Sequence, residues 1–227
     1  TEDPPAPMQP LHGLQGVRPS ATDPGGRPPF TVRTAIMRPW IAATIAGTLL
    51  GLTPLDGLVH PPLILGAWLA LALAVEGRVA VDLARGALVG AIWYGLAMRW
   101  VPLTWSGFGS TGDPWLAWAG LVALQLVVPA VGLGLAGALR QHDAPLPVAL
   151  ALGLGVATPL SFAVQPLPGG LAVWTAPFAA LLDPAAWGGR TLLVAALGGW
   201  AGLAVTRPLP GVAVLVGWLA VGLLPRP

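Results

Sequence analysis

The residues of this 227-residue chain that are best suited to bind a charged ligand lie in one stretch, RWVPLTWSGFGSTGDPWLAW, at positions 99–118. Arg99 can hold an anionic headgroup through the parallel N–H groups of its guanidinium. An acid and a histidine in an earlier turn are predicted to lie on the same side of the fold. We predict a lipid- or substrate-binding mouth that consists of Arg99, Trp100, Trp105, Phe108, Asp56 and His60.

Simpler interpretations of the same residues stay open. An arginine near the edge of a membrane can extend its charged end to lipid phosphates without forming a site. Tryptophans gather at the headgroup level because the indole ring is half in water there. Asp56 directly precedes Gly57, a pattern that is typical of a turn or a helix cap.

The sequence offers little catalytic or metal chemistry. It has no cysteine, its eleven basic residues are all arginine, and its histidines are too far apart for ligand spacing. No serine has a histidine near it in sequence, and the G-x-S-x-G elbow is missing. The arginines are scattered among nine acids, without the basic stripe of a nucleic-acid-binding protein. We predict no catalytic residue, cofactor, metal or nucleic-acid partner.

Composition indicates a membrane protein. The chain is 55% apolar and 9% charged, with a mean hydropathy of +0.75, whereas a soluble domain is about 25% charged. A soluble protein of this length could not cover its surface with so few charges, but a bilayer accepts an apolar exterior.

The apolar runs predict an all-α fold: a polytopic membrane bundle of about seven transmembrane helices plus one re-entrant or interfacial segment. Residues 1–35 are rich in Pro and Gly and are predicted to be a flexible tail, while 36–227 form the transmembrane domain. Segment 166–187 is apolar but broken by Pro and Gly, which favours the re-entrant or interfacial path. The predicted spans are 36–53, 58–75, 83–104, 115–139, 146–164, 190–206 and 209–224.

Arginine placement predicts the orientation. With the tail in the cytoplasm, eight arginines fall on the inner side and three on the outer side. The C-terminus then emerges on the outer face, and the predicted mouth opens outward.

Polar residues near the span ends have local interpretations. Asp113-Pro114 is predicted to cap the fourth span, and Gln125 to hydrogen-bond a neighbouring helix. Asp82 and Arg85 are at i, i+3 in the inner loop after Glu76, which predicts a solvated, ion-paired turn.

Three blocks of the sequence carry a family resemblance. The first runs from Leu49 to Leu73 with Pro54 and Asp56 in its turn, and the second, GALVGAIWYGLAMRWVPLTWSGFG, runs from Gly86 to Gly109. The third is GVATPLSFAVQPLPGG with Trp174 and Pro177 after it. Together they resemble the transmembrane region of apolipoprotein N-acyltransferases, enzymes that add the third acyl chain to bacterial lipoproteins. The resemblance covers roughly residues 38–224 and implies a bacterial inner (plasma) membrane location.

The departures from that family shape the functional expectation. The family's catalytic Glu, Lys and Cys belong to a nitrilase-like domain after the seventh span, and this chain is expected to lack that domain. Within the matched region Pro102 replaces a Tyr, Ser110 replaces a Gly and Gln165 replaces a Glu.

Two functions follow from the resemblance. In the first, the chain is a non-catalytic membrane subunit, a lipid-binding or structural component of a larger membrane complex, with membrane lipids and other subunits as partners. In the second, it is the membrane half of a split acyltransferase that acts in lipoprotein maturation with a separate nitrilase-like partner. A small transporter is less favoured because no acid lies clearly mid-span.

Overall fold

A computed structural model describes residues 30–52, 61–104, 112–164 and 187–223. Within these ranges the chain is helical and contains no strand, so the all-α prediction is confirmed. The helices are α1 (Phe30–Leu52), α2 (Pro61–Ala74), α3 (Val79–Ala97), α4 (Trp100–Thr104), α5 (Pro114–Gln125), α6 (Val127–Gln141), α7 (Leu146–Val164), α8 (Trp187–Thr206) and α9 (Pro208–Leu223).

Two compact units divide the chain, Thr1–Ala35 and Ile36–Pro227, and the packing below concerns the second. Of the predicted tail 1–35, residues 1–29 lie outside the described residues, and α1 begins at Phe30, six residues before the predicted start of the first span. The predicted re-entrant segment also lies outside them, except that α8 begins at Trp187. Both therefore stay predictions.

Prolines divide two of the predicted spans into two helices each. The third span is α3 followed by α4, with a turn at Met98–Arg99, and the fourth is α5 followed by α6, with a turn at Leu126. Pro102 and Pro129 lie three residues after Arg99 and Leu126, and each lacks the N–H that an unbroken helix needs. The sequence pattern located the apolar runs, and a proline follows each of these two breaks, whereas Pro39 and Pro159 lie inside the unbroken helices α1 and α7.

Among the described helices, two segments are long and apolar enough to cross a membrane, Val79–Thr104 and Pro114–Gln141. At 1.5 Å per residue they are about 39 and 42 Å long if continuous, against a hydrocarbon thickness of about 30 Å. Shorter apolar segments lie in α2, α7, α8 and α9.

The core is a row of helices in close contact, α3 against α6, α6 against α7, and α7 against α8. Small residues allow this spacing: a Cβ on Gly153 would lie 2.6 Å from the Gly132 oxygen, and one on Gly198 would lie 2.9 Å from the Leu150 oxygen. Close backbone approach at small residues is typical of helix packing in membranes. α2 packs on α8, and the Trp200 Nε1 donates to the Gly211 oxygen at 2.9 Å, joining α8 to α9.

Candidate functional site

The predicted mouth is only partly within the described residues. Arg99 lies in the turn between α3 and α4, and Trp100 begins α4; both are exposed, Trp100 to 40%. Trp105, Phe108, Asp56 and His60 lie outside the described residues. The structure thus places Arg99 and Trp100 on an accessible surface, and the mouth as a set stays a prediction.

The beginning of α5 lies beside this surface, since α4 packs on α5. Asp113 Oδ1 accepts hydrogen bonds from the Trp115 and Leu116 N–H groups at 2.8 and 3.4 Å, and Pro114 follows it. The predicted helix cap is therefore confirmed. Trp115 is 61% exposed and meets Trp118 edge-on, with ring centroids 6.1 Å apart, so an aromatic surface surrounds the capped helix start.

A second polar group is buried at the other end of α3. We call Glu76, Asp82 and Arg85 the α2–α3 cluster. Asp82 is fully buried and Arg85 is 1% exposed. The Arg85 guanidinium donates to the Asp82 carboxylate at 3.1 Å and to the Glu76 carboxylate at 2.8 Å, and the latter side chain is 30% exposed.

Backbone groups complete the α2–α3 cluster. Asp82 accepts from the N–H groups of Glu76, Gly77 and Arg78 at 3.1, 2.9 and 2.9 Å. Arg85 Nη1 donates to the Ala74 oxygen, the last residue of α2, at 3.0 Å. The two charged side chains therefore satisfy backbone groups on both sides of the turn that joins α2 to α3, which have no partner within the helices.

The prediction of a solvated turn is wrong for Asp82 and Arg85, although their i, i+3 ion pair is present. α6 covers Asp82: a Cβ on Gly137 would lie 2.5 Å from Asp82 Oδ2. α1 covers Arg85, whose guanidinium carbon is 5.3 Å from the centre of the Trp40 ring. The sequence did contain an indication that Asp82 is buried, because Asp82, Gly86 and Gly90 are spaced i, i+4, i+8 and therefore share one face of the helix. A face of small residues is the face that packs on another helix.

Gln125, the predicted interhelical donor, is fully buried at the end of α5. Between the helices, an internal cavity of about 20 Å³ has an almost wholly apolar lining that includes Trp68, Trp93 and Pro129. That volume is enough for about one water molecule and far too small for an acyl chain. This cavity is therefore not a lipid-sized chamber.

The chemistry available in the described residues is that of charge pairing and surface binding. No group of three His, Asp or Glu side chains there could hold a metal ion. Arg85, which is 1% exposed, already faces two carboxylates, so it is a structural ion in this arrangement. The sequence matches no protein family model and no curated protein.

Proposed function

We propose that the chain is a polytopic membrane protein that acts as a non-catalytic membrane subunit, a lipid-binding or structural component of a larger complex. The membrane part of the proposal rests on one turn of α3, in which charged side chains are buried and an apolar side chain is exposed. Asp82 and Arg85 face the protein interior, whereas Leu83 between them is 45% exposed. Water would favour the opposite arrangement, and hydrocarbon favours this one.

Other helices repeat the apolar exterior. Ile41 and Ile45 of α1, Leu152 and Val156 of α7, and Leu209 of α9 are between 47% and 83% exposed. Scattered exposed leucines are ordinary in soluble proteins, but continuous apolar faces on several helices indicate an interaction with lipid or with other apolar surfaces.

The subunit role rests on the family resemblance and on composition. The family's thioester-forming cysteine and its lysine have no counterpart among these 227 residues. We therefore assign this sequence no catalytic step, and we place lipid binding at the mouth around Arg99 and Trp100. The proposed location is the bacterial inner membrane, with the N-terminus in the cytoplasm and the C-terminus outside.

The membrane arrangement can be tested by the accessibility of introduced cysteines. The chain has no cysteine of its own, so any label on it is at the introduced position. Three variants are labelled with a water-soluble, membrane-impermeant maleimide: Gly112→Cys, His142→Cys and Val156→Cys, each at a position exposed in the structure. In intact cells only Gly112→Cys should react. In opened membranes His142→Cys should react as well, while Val156→Cys should stay protected by lipid until SDS is added.

Equal labelling of Val156→Cys and His142→Cys in opened membranes would contradict the membrane arrangement. The subunit role is tested by purification in mild detergent with mass identification of co-purifying chains. Recovery of a monomer with no bound subunit and no lipid would refute that role. Recovery of a nitrilase-like chain together with acyl transfer would favour the split enzyme.

A further inference from the structure

The structure brings four loops or helix ends together at one end of the unit Ile36–Pro227. Trp40, near the middle of α1, covers Arg85 near the start of α3. The α2–α3 turn meets the end of α6, where a Cβ on Gly77 would lie 3.0 Å from the Arg140 Cβ. α8 ends against the start of α7, since a Cβ on Gly202 would lie 2.7 Å from the Pro147 backbone. Arg207 follows directly. We call this the arginine end.

Four arginines at this end are exposed, and none of them has an ion pair with another described residue: Arg38, Arg78, Arg140 and Arg207. The fifth, Arg85, is neutralised inside the α2–α3 cluster. Among acids at this end, Asp82 is buried, Glu76 pairs with Arg85, and only Asp143 is exposed without a pairing arginine. At the opposite end the described charged residues are Arg99, Arg190 and Asp113, two positive and one negative. Among the described residues the larger number of arginines is therefore at the arginine end.

Arg38 and Arg207 are within five residues of exposed apolar side chains on the same helix or the next. Arg38 lies between Met37 and Ile41, which are 57% and 52% exposed. Arg207 precedes Leu209 and Val212 on α9, which are 83% and 59% exposed. On the neighbouring helices, Arg140 follows the partly exposed Leu135, and Arg78 precedes the exposed Leu83.

α1 has an open groove of about 340 Å³ that is lined by Met37, Trp40, Ile41, Thr44 and Ile45. Arg38 is the neighbour of Met37 in sequence. A ligand that fits this pattern has a phosphate at the level of the arginines and hydrocarbon chains along the helices. An acidic protein would match the charge and leave the apolar faces uncovered.

We propose that the arginine end binds anionic phospholipids of the adjacent leaflet, with guanidinium groups on the phosphodiester and an acyl chain in the α1 groove. Guanidinium binds phosphate through two parallel N–H groups, which gives more than point-charge attraction. Each arginine near the surface of an anionic membrane contributes about fivefold in affinity. The inference rests on the proposed membrane arrangement and adds a lipid class and a leaflet, at a surface separate from the mouth around Arg99.

The test measures lipid selectivity in purified protein. The chain is equilibrated in uncharged detergent with equal amounts of phosphatidylglycerol and phosphatidylcholine, and retained lipids are counted by native mass spectrometry. The wild type should retain phosphatidylglycerol in clear excess, and added salt should reduce that excess. The combined variant Arg38→Gln, Arg78→Gln, Arg140→Gln and Arg207→Gln should lose the preference. The matched Arg→Lys set should keep part of it, since lysine retains the charge and lacks the planar fork.

If the combined variant does not fold, the same lipid preference is measured on the single variants Arg78→Gln and Arg140→Gln. Each should lower the preference about threefold to fivefold. Proportional retention of both lipids by the wild type would overturn the inference, and so would a preference that survives all four Gln substitutions. Capture of an acidic protein through these arginines, without any lipid preference, would also overturn it.

Insertion into pure phosphatidylcholine vesicles separates the two proposals. Insertion without lipid preference refutes only the arginine-end inference. Failure to insert into vesicles of phosphatidylcholine, with or without phosphatidylglycerol, refutes the proposed membrane function itself.

Discussion

Replacing Arg85 by methionine should destabilise the protein by about 3–5 kcal/mol, the usual cost of removing one partner from a buried ion pair. Three hydrogen bonds are lost, to Ala74 at 3.0 Å, Asp82 at 3.1 Å and Glu76 at 2.8 Å. A net bond to a charged group contributes about 1.5–3 kcal/mol. Asp82 keeps its backbone donors but stays fully buried without a countercharge. Glu76 can turn to solvent, which limits the total.

The assay is equilibrium unfolding in mixed micelles of uncharged detergent and SDS, followed by the fluorescence of the eleven tryptophans. Arg78→Met is the matched control, because Arg78 is exposed; it should change the unfolding free energy by at most about 0.5 kcal/mol. Combining Arg85→Met with Asp82→Asn should cost less than the sum of the single changes, by at least about 1.5 kcal/mol. An Arg85→Met cost below about 1 kcal/mol, or strict additivity, would refute the ion-pair reasoning.

Three further changes test other parts of the structure. Gly86→Ala should destabilise by about 1–3 kcal/mol or more, because its Cβ would lie 2.6 Å from the Ala130 Cα across the α3–α6 contact. Gly120→Ala, with nothing within 4 Å of its Cβ, should be neutral or stabilising in the same unfolding assay. Asp113→Ala should cost about 0.5–2 kcal/mol and speed hydrogen exchange at the Trp115 and Leu116 amides, whereas unchanged exchange would argue against the cap. Arg99→Ala should reduce lipid bound at the predicted mouth, and unchanged bound lipid by mass spectrometry would count against that site.

The bounds of two helices, α7 and α9, could be predicted closely from the sequence because they depend on local properties. The fifth predicted span, 146–164, coincides with α7, and the seventh, 209–224, differs from α9 by one residue at each end. Apolar runs of this length, bounded by Pro, Gly and charged residues, have few alternatives to a helix. The Asp113 cap was equally local, since it needs only the acid, a proline and the N–H groups two and three residues on.

The α2–α3 cluster could not be predicted because its burial depends on helices far away in sequence. Spacing gave the Asp82–Arg85 pair, but Gly137 of α6 and Trp40 of α1 exclude water from it. The predicted mouth has the converse difficulty. Its residues come from the segment before α2 and the segment that follows α3, and of these Arg99 and Trp100 lie in the described structure. Their proximity to the other four depends on how distant parts of the chain pack, which spacing in the sequence does not specify.

The sequence by itself determined the type of element, the apolar length of each helix and the local caps, since these arise from interactions within about four residues. Only the tertiary structure decided which polar groups are inside and which charges share a surface. Helix packing joins residues that are tens of positions apart, and no local pattern specifies which helices meet. That packing buries Arg85 and leaves Arg38, Arg78, Arg140 and Arg207 exposed at one end.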